Sequence, residues 1–152
     1  MFLLKKYLKS LIILFIFFQI SYSNSEEKFL SLKKNKVNVR YGPGFEFPVK
    51  YMYEKKNLPI KQIDKKDNFR RIIDYKKNSG WIHISQLKKA NSVIVTNDKI
   101  MFKKSSIFSE PIARIKEGRL LIVTRCNNEW CEVKTENLNG WVKKKDLWGD
   151  IN

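Results

Sequence analysis

Val37-Asn38-Val39-Arg40-Tyr41-Gly42-Pro43-Gly44, answered downstream by Gly80-Trp81-Ile82-His83, is the pairing whose reading decides the fold of this chain. Side chains alternate along an extended backbone, so Val37 and Val39 point to one face while Asn38 and Arg40 point to the other. Pro43 presets φ for a tight turn, and the glycines beside it can take φ > 0 without a Cβ clash, so the chain reverses here. Further on, Gly80 breaks the polar run Lys76-Lys77-Asn78-Ser79 and opens a second strand, Trp81-Ile82-His83-Ile84.

Working outward, the intervening residues read as short strands split by polar turns. Phe29-Leu30-Ser31-Leu32 is an entering strand, residues 49–53 alternate, residues 58–63 follow a turn at Asn57, and residues 69–75 return as a hairpin partner. The whole order then replays at a period of about 60 residues. Residues 99–102 stand for 37–40, Ser109-Glu110-Pro111-Ile112 for Glu46-Phe47-Pro48-Val49, and Gly118 for Asn57. Residues 120–125 stand for 58–63, Trp130 for Phe69, Gly140-Trp141-Val142 for Gly80-Trp81-Ile82, and Leu147 for Leu87. One stretch departs: Lys103-Lys104-Ser105-Ser106 replaces the Tyr-Gly-Pro-Gly turn. Each repeat is expected to hold about five strands and no helix. Units of about 60 residues bury only ~60 per cent of their unfolded surface and are marginal alone, so the repeats should pack together across the short connector 88–92.

Asn38-Val39-Arg40-x-Gly42-Pro43-Gly44, then Gly80-Trp81-Ile82-His83-x-Ser85-x-Leu87, resembles the bacterial SH3-like (SH3b) family. The ending, Gly140-Trp141-Val142 to Leu147-Trp148-Gly149, is similar to a two-repeat exported form of that family. The resemblance covers roughly residues 30 to 149. It implies an all-β chain of two tandem small SH3-like β-barrels, at residues 29–89 and 93–149, and a role in cell-wall or peptide targeting.

The start of the chain reads differently. Lys5, Lys6 and Lys9 precede the apolar run 11–18, and Ser21-Tyr22-Ser23 offers small residues for cleavage. Residues 1–23 are therefore expected to be a signal peptide, cut after Ser23 or, failing that, Ser25; the alternative is an uncleaved anchor. Export would place the protein in the periplasm. The full chain carries a formal charge of +16, and losing Lys5, Lys6 and Lys9 leaves 28 basic against 15 acidic residues, or +13. Lysine outnumbers arginine roughly four to one, which argues against base readout in nucleic acid. The expected partner is a cell-wall polymer or peptide, or an envelope protein; a membrane enters only through an uncleaved signal segment.

Cys126 and Cys131, in Cys-Asn-Asn-Glu-Trp-Cys, form an even, closely spaced pair, which in an exported chain reads as a disulfide. A metal would need two further soft ligands, and the single histidine, His83, lies in the other repeat, so neither a metal site nor a cofactor is called for. No catalytic constellation emerges. His83 and Ser85 lie two apart on a strand, as neighbours without hydrogen-bond geometry, and the carboxylate pairs fall in termini and turns. Ligand binding is the better reading, through Arg40, Tyr41, Tyr53, Trp81 and His83. Their rings would supply apolar contact and Arg40 a cation for a carboxylate. Arg40 has a second possible role, holding the Gly-Pro-Gly turn through backbone carbonyls.

Overall fold

The structure, a computed structural model, describes residues 28–151; the segment read as a signal peptide lies outside them. The first unit holds β1 (Lys28–Leu32), β2 (Val37–Arg40), β3 (Val49–Tyr53), β4 (Pro59–Lys66), β5 (Phe69–Ile73), β6 (Ser79–His83) and β7 (Leu87–Lys89). They form one antiparallel sheet in the order β3-β2-β6-β5-β4-β1-β7. The second unit holds β8 (Ser92–Val95), β9 (Lys99–Phe102), β10 (Pro111–Ile115), β11 (Leu120–Cys126), β12 (Trp130–Lys134), β13 (Asn139–Lys143) and β14 (Leu147–Gly149). Its order, β10-β9-β13-β12-β11-β8-β14, is the same topology again. Seven strands per unit exceed the five expected, and one of the additions in each is a three-residue piece, β7 or β14, that pairs back onto β1 or β8.

Each sheet curls round its own core. Leu32 of β1 and Val37 and Val39 of β2 share one buried cluster with Ile60, Ile72 and Ile82. In a flat sheet β1 and β2 would be four strand spacings apart, roughly 19 Å, and could not touch. The second cluster gathers Val93, Val95, Met101, Leu121, Val133 and Val142. In β2, β5, β6, β12 and β13 the core residues sit on one parity.

β8 joins the two units. All four of its residues are buried. Val93 and Val95 enter the second core, whereas Ile94, on the opposite parity, enters the first. A strand with a core on both faces reads as a continuous apolar run. Ser92 Oγ donates to the carbonyl of Asn57 at 2.5 Å and lies 3.0 Å from Ser31 Oγ. Phe29 meets Trp148 edge to face with ring centroids 5.0 Å apart. The expected packing between repeats is therefore present, built on a strand that follows β7 after only Ala90 and Asn91.

Backbone bonds set the true register of the repeat. Asn57 (φ +62°) and Gly118 (φ +79°) occupy the left-handed region, and donate to the carbonyls of Leu32 and Val95. Ile60 therefore matches Leu121, one residue tighter than an alignment of Leu58 with Leu120. Similarly, Tyr41 N–H donates to Pro48 O and Lys103 N–H to Glu110 O, so Glu110, not Pro111, stands where Pro48 does.

Candidate binding face

On the outer face of the first sheet, Arg40 of β2 lies opposite both Val49 of β3 and Trp81 of β6, and Trp81 lies opposite Arg71 of β5. Their neighbours Val39, Ile82 and Ile72 point into the core, so alternation turns Arg40, Trp81, Arg71 and His83 outward. Trp81 is half-buried between two arginines, of which Arg71 is exposed. Arg40 Nη1 donates to Phe47 O at 2.7 Å and to Phe45 O at 3.3 Å, and its guanidinium lies 5.4 Å from the Phe45 ring centroid. The turn-holding role is thus present in the geometry.

The loop that Arg40 holds, residues 41–48, folds over this face. Phe45 stacks on His83 at 5.1 Å and meets Phe69 edge-on at 5.2 Å, yet stays 63% exposed. Pro43 sits at the centre of a three-residue turn closed by Gly44 N–H to Gly42 O at 3.1 Å. Neither Gly42 nor Gly44 uses φ > 0, contrary to expectation. Gly42 is required for another reason: a Cβ there would run into the ring of Phe47. At the other margin Tyr41 is exposed, with Lys50 Nζ 5.6 Å from its ring and donating to Ser79 O at 2.9 Å.

A family model described as bacterial SH3 domain matches residues 33–89 and again residues 100–149. The chain belongs to the bacterial SH3 domain family. No curated protein matches it. Among solved structures it is similar to NlpC2 and NlpC1 from Trichomonas vaginalis, each at 11% identity over 84% of this chain, with TM-scores of 0.38 and 0.37. The matches cover 50% and 47% of those structures, so this bacterial SH3 chain spans about half their length.

Of the five residues expected to bind ligand, Arg40, Trp81 and His83 share the outer face and Tyr41 sits at its edge. Tyr53 does not join them. It lies opposite Val37 on the core parity, donates to Asp74 Oδ2 at 3.0 Å, and accepts from Tyr51 at 3.3 Å. Burial, reinforced by Asp74, pushes the hydroxyl pKa of both tyrosines above the usual value. Three residues of the face were missed from sequence, namely Phe45, Lys50 and Arg71. Arg71 could have been found by counting parity from Trp81 through the hairpin; the reach of Phe45 and Lys50 depends on the loop path.

His83 and Ser85 correct another expectation. Their side chains are bonded, Nδ1 to Oγ at 2.8 Å, and Ser85 N–H also donates to Nδ1 at 3.3 Å. The strand ends at His83, and a 3-10 turn over Ile84–Gln86 swings Ser85 back towards the ring. Among the described residues no carboxylate hydrogen-bonds the imidazole, and Phe45 and Phe69 flank it. The pair caps a turn.

The second unit builds a different row at the same place. Phe102 stands for Arg40 opposite Trp141, and Glu132 stands for Arg71. Arg125 Nε donates to Glu132 Oε2 at 2.7 Å and its guanidinium covers the Trp141 ring at 5.3 Å. The cation there is already paired with a carboxylate. Cys126 and Cys131 form a disulfide across the β11–β12 pair, with Cα atoms 4.1 Å apart.

Proposed function

We propose that the protein is an exported, non-enzymatic binding module of the bacterial periplasm that recognises peptidoglycan or a cell-wall peptide through the first unit's outer face. The observation that carries this reading is the cross-strand row Arg40–Trp81–Arg71. A half-buried indole between two guanidinium groups offers apolar contact to a sugar or peptide stem and a cation to its carboxylate. Arg40 uses Nη1 on the loop, whereas Arg71 is exposed, so Arg71 is the more open carboxylate partner beside Arg40 and Trp81 is the platform. Tyr41 and Phe45 extend the platform at its two margins. Membership of the bacterial SH3 family supports a binding role.

A second reading has its own observation. β3 is an end strand of its sheet, and Val49 and Met52 on it are each 44% exposed, an edge to which an extended peptide from an envelope protein could pair.

Co-sedimentation of the chain from Asn24 onward with purified sacculi at low and high salt tests the first reading. Pelleting should survive high salt, and Trp81→Ala should weaken it roughly tenfold, about 1.4 kcal/mol. Pelleting that vanishes with salt would reduce the effect to lysine charge. No pelleting at either salt would shift the function to the β3 edge.

A further inference from the structure

We infer that the 103–110 loop of the second unit is a membrane-surface anchor, which inserts Phe108 and Ile107 into the interface of an anionic phospholipid bilayer. This is independent of the wall-binding face. Phe108 is 93% exposed and Ile107 56% exposed, side by side at the loop. Two adjacent apolar side chains on one tip gain free energy when an apolar phase takes them out of water.

The loop presents these side chains rigidly. Ser106 N–H donates to Lys104 O at 2.8 Å, Ser109 N–H to Ser106 O at 3.2 Å, and Lys103 N–H to Glu110 O at 3.0 Å. Side chains fix it further: Lys104 N–H donates to Ser109 Oγ at 2.9 Å and Phe108 N–H to Ser106 Oγ at 3.2 Å. The backbone around Phe108 is thus largely satisfied while its ring stands clear. Ordering on contact would cost little.

Charge selects the partner. Lys103 and Lys104 begin the loop. The Lys143-Lys144-Lys145 turn lies at the other end of β9, where Lys99 Nζ donates to the carbonyls of Lys143 and Lys145, and only Lys143, over the Trp130 ring at 5.6 Å, reaches back toward Phe102. The acidic group beside them is Glu110, paired with Lys103 at 3.1 Å. Cations therefore outnumber carboxylates around an apolar tip, the combination that holds a peripheral protein on anionic headgroups. Sequence reading gives the membrane no role beyond the N-terminal segment; this loop supplies one.

The test is flotation of the chain from Asn24 onward, which holds every described strand, with two vesicle types. One is phosphatidylethanolamine with phosphatidylglycerol, the other phosphatidylcholine alone. The protein should float with the anionic vesicles and not with phosphatidylcholine, and Phe108→Ser should lower the bound fraction roughly tenfold. Phe108→Trp should keep binding, with its added emission quenched by brominated lipid. Because the ring is exposed, Phe108→Ser should leave the circular dichroism spectrum and sacculus pelleting unchanged. Failure to float with anionic vesicles would overturn the proposal. So would Phe108→Ser that floats as well as the parent, which would reduce the attraction to lysine charge.

Discussion

The loops 41–48 and 103–110 have equal length and nearly the same backbone, but opposite relations to the sheet beneath them. Both are closed by the same terminal bond, and both contain a three-residue turn, Gly44 N–H to Gly42 O in one and Ser106 N–H to Lys104 O in the other. In the first unit Arg40 reaches up to hold two loop carbonyls, and Phe45 lies back on His83 and Phe69. In the second unit Phe102 replaces that arginine and has no donor to offer. Two serine hydroxyls hold the loop from within, and Phe108 points away. A shared hydrogen-bond path thus fixes where a loop runs; in that register Ile107 stands for Phe45, and Phe108, in the place of Glu46, is the apolar side chain that the second loop alone adds.

The same contrast recurs at the β5–β6 and β12–β13 turns, where it should have the largest effect. Asp74, 4% exposed, accepts from Tyr53 OH, Asn78 Nδ2 and the N–H groups of Lys76 and Asn78. Thr135 fills its place with a hydroxyl that accepts only from Leu138 N–H. Removing a buried acceptor strands its donors, so Asp74→Ala should cost about 3 kcal/mol and Thr135→Ala about 1 kcal/mol in urea denaturation. Equal costs would break the contrast. Next in size are the hairpin tips. Cys126–Cys131 occupies the pair position held in the first unit by Lys65 and Arg70, where Arg70 Nη1 donates to the carbonyls of Asp67 and Phe69. Replacing both cysteines by serine should cost about 2 kcal/mol. Arg70→Ala should cost about 1 kcal/mol or less, since its bonds are partly exposed.

What was legible from sequence follows from which signals are local. Alternation in residues 37–40, the glycine before each tryptophan and the left-handed turns at Asn57 and Gly118 are read within a few residues, and with the family resemblance they suffice for two SH3-like units. The outward set Arg40, Trp81 and His83 followed from parity in two strands. Ring composition misled: Tyr53 is a ring beside other rings in the sequence, but its strand turns it towards the core, where Asp74 meets it. The Ser85–His83 bond was lost because a 3-10 turn interrupts the strand at its last residue. Register slipped at Pro111 because proline was matched to proline, whereas the closing backbone bond ignores side-chain identity. The double burial of β8 was hidden, since the three-residue apolar run Val93-Ile94-Val95 gives no sign of which core each side faces.

The smallest effect is the most direct probe of the loop comparison. Arg40→Ala removes the two bonds to Phe45 O and Phe47 O but leaves the closing bond and the three-residue turn in place. The first loop should then behave like the second, kept in path but with Phe45 released from His83. Global stability should fall by only about 1 kcal/mol. The local change should be larger, with faster amide exchange across residues 42–47 and no change across 104–109. The counterpart, Lys103→Ala, breaks an ion pair whose two partners are both well exposed, and should move stability by less than about 0.5 kcal/mol. Its loop should exchange as before, because Ser106 and Ser109 hold it independently of Glu110. If Arg40→Ala left exchange in 42–47 unchanged, the backbone path and not the arginine would be what holds Phe45 down.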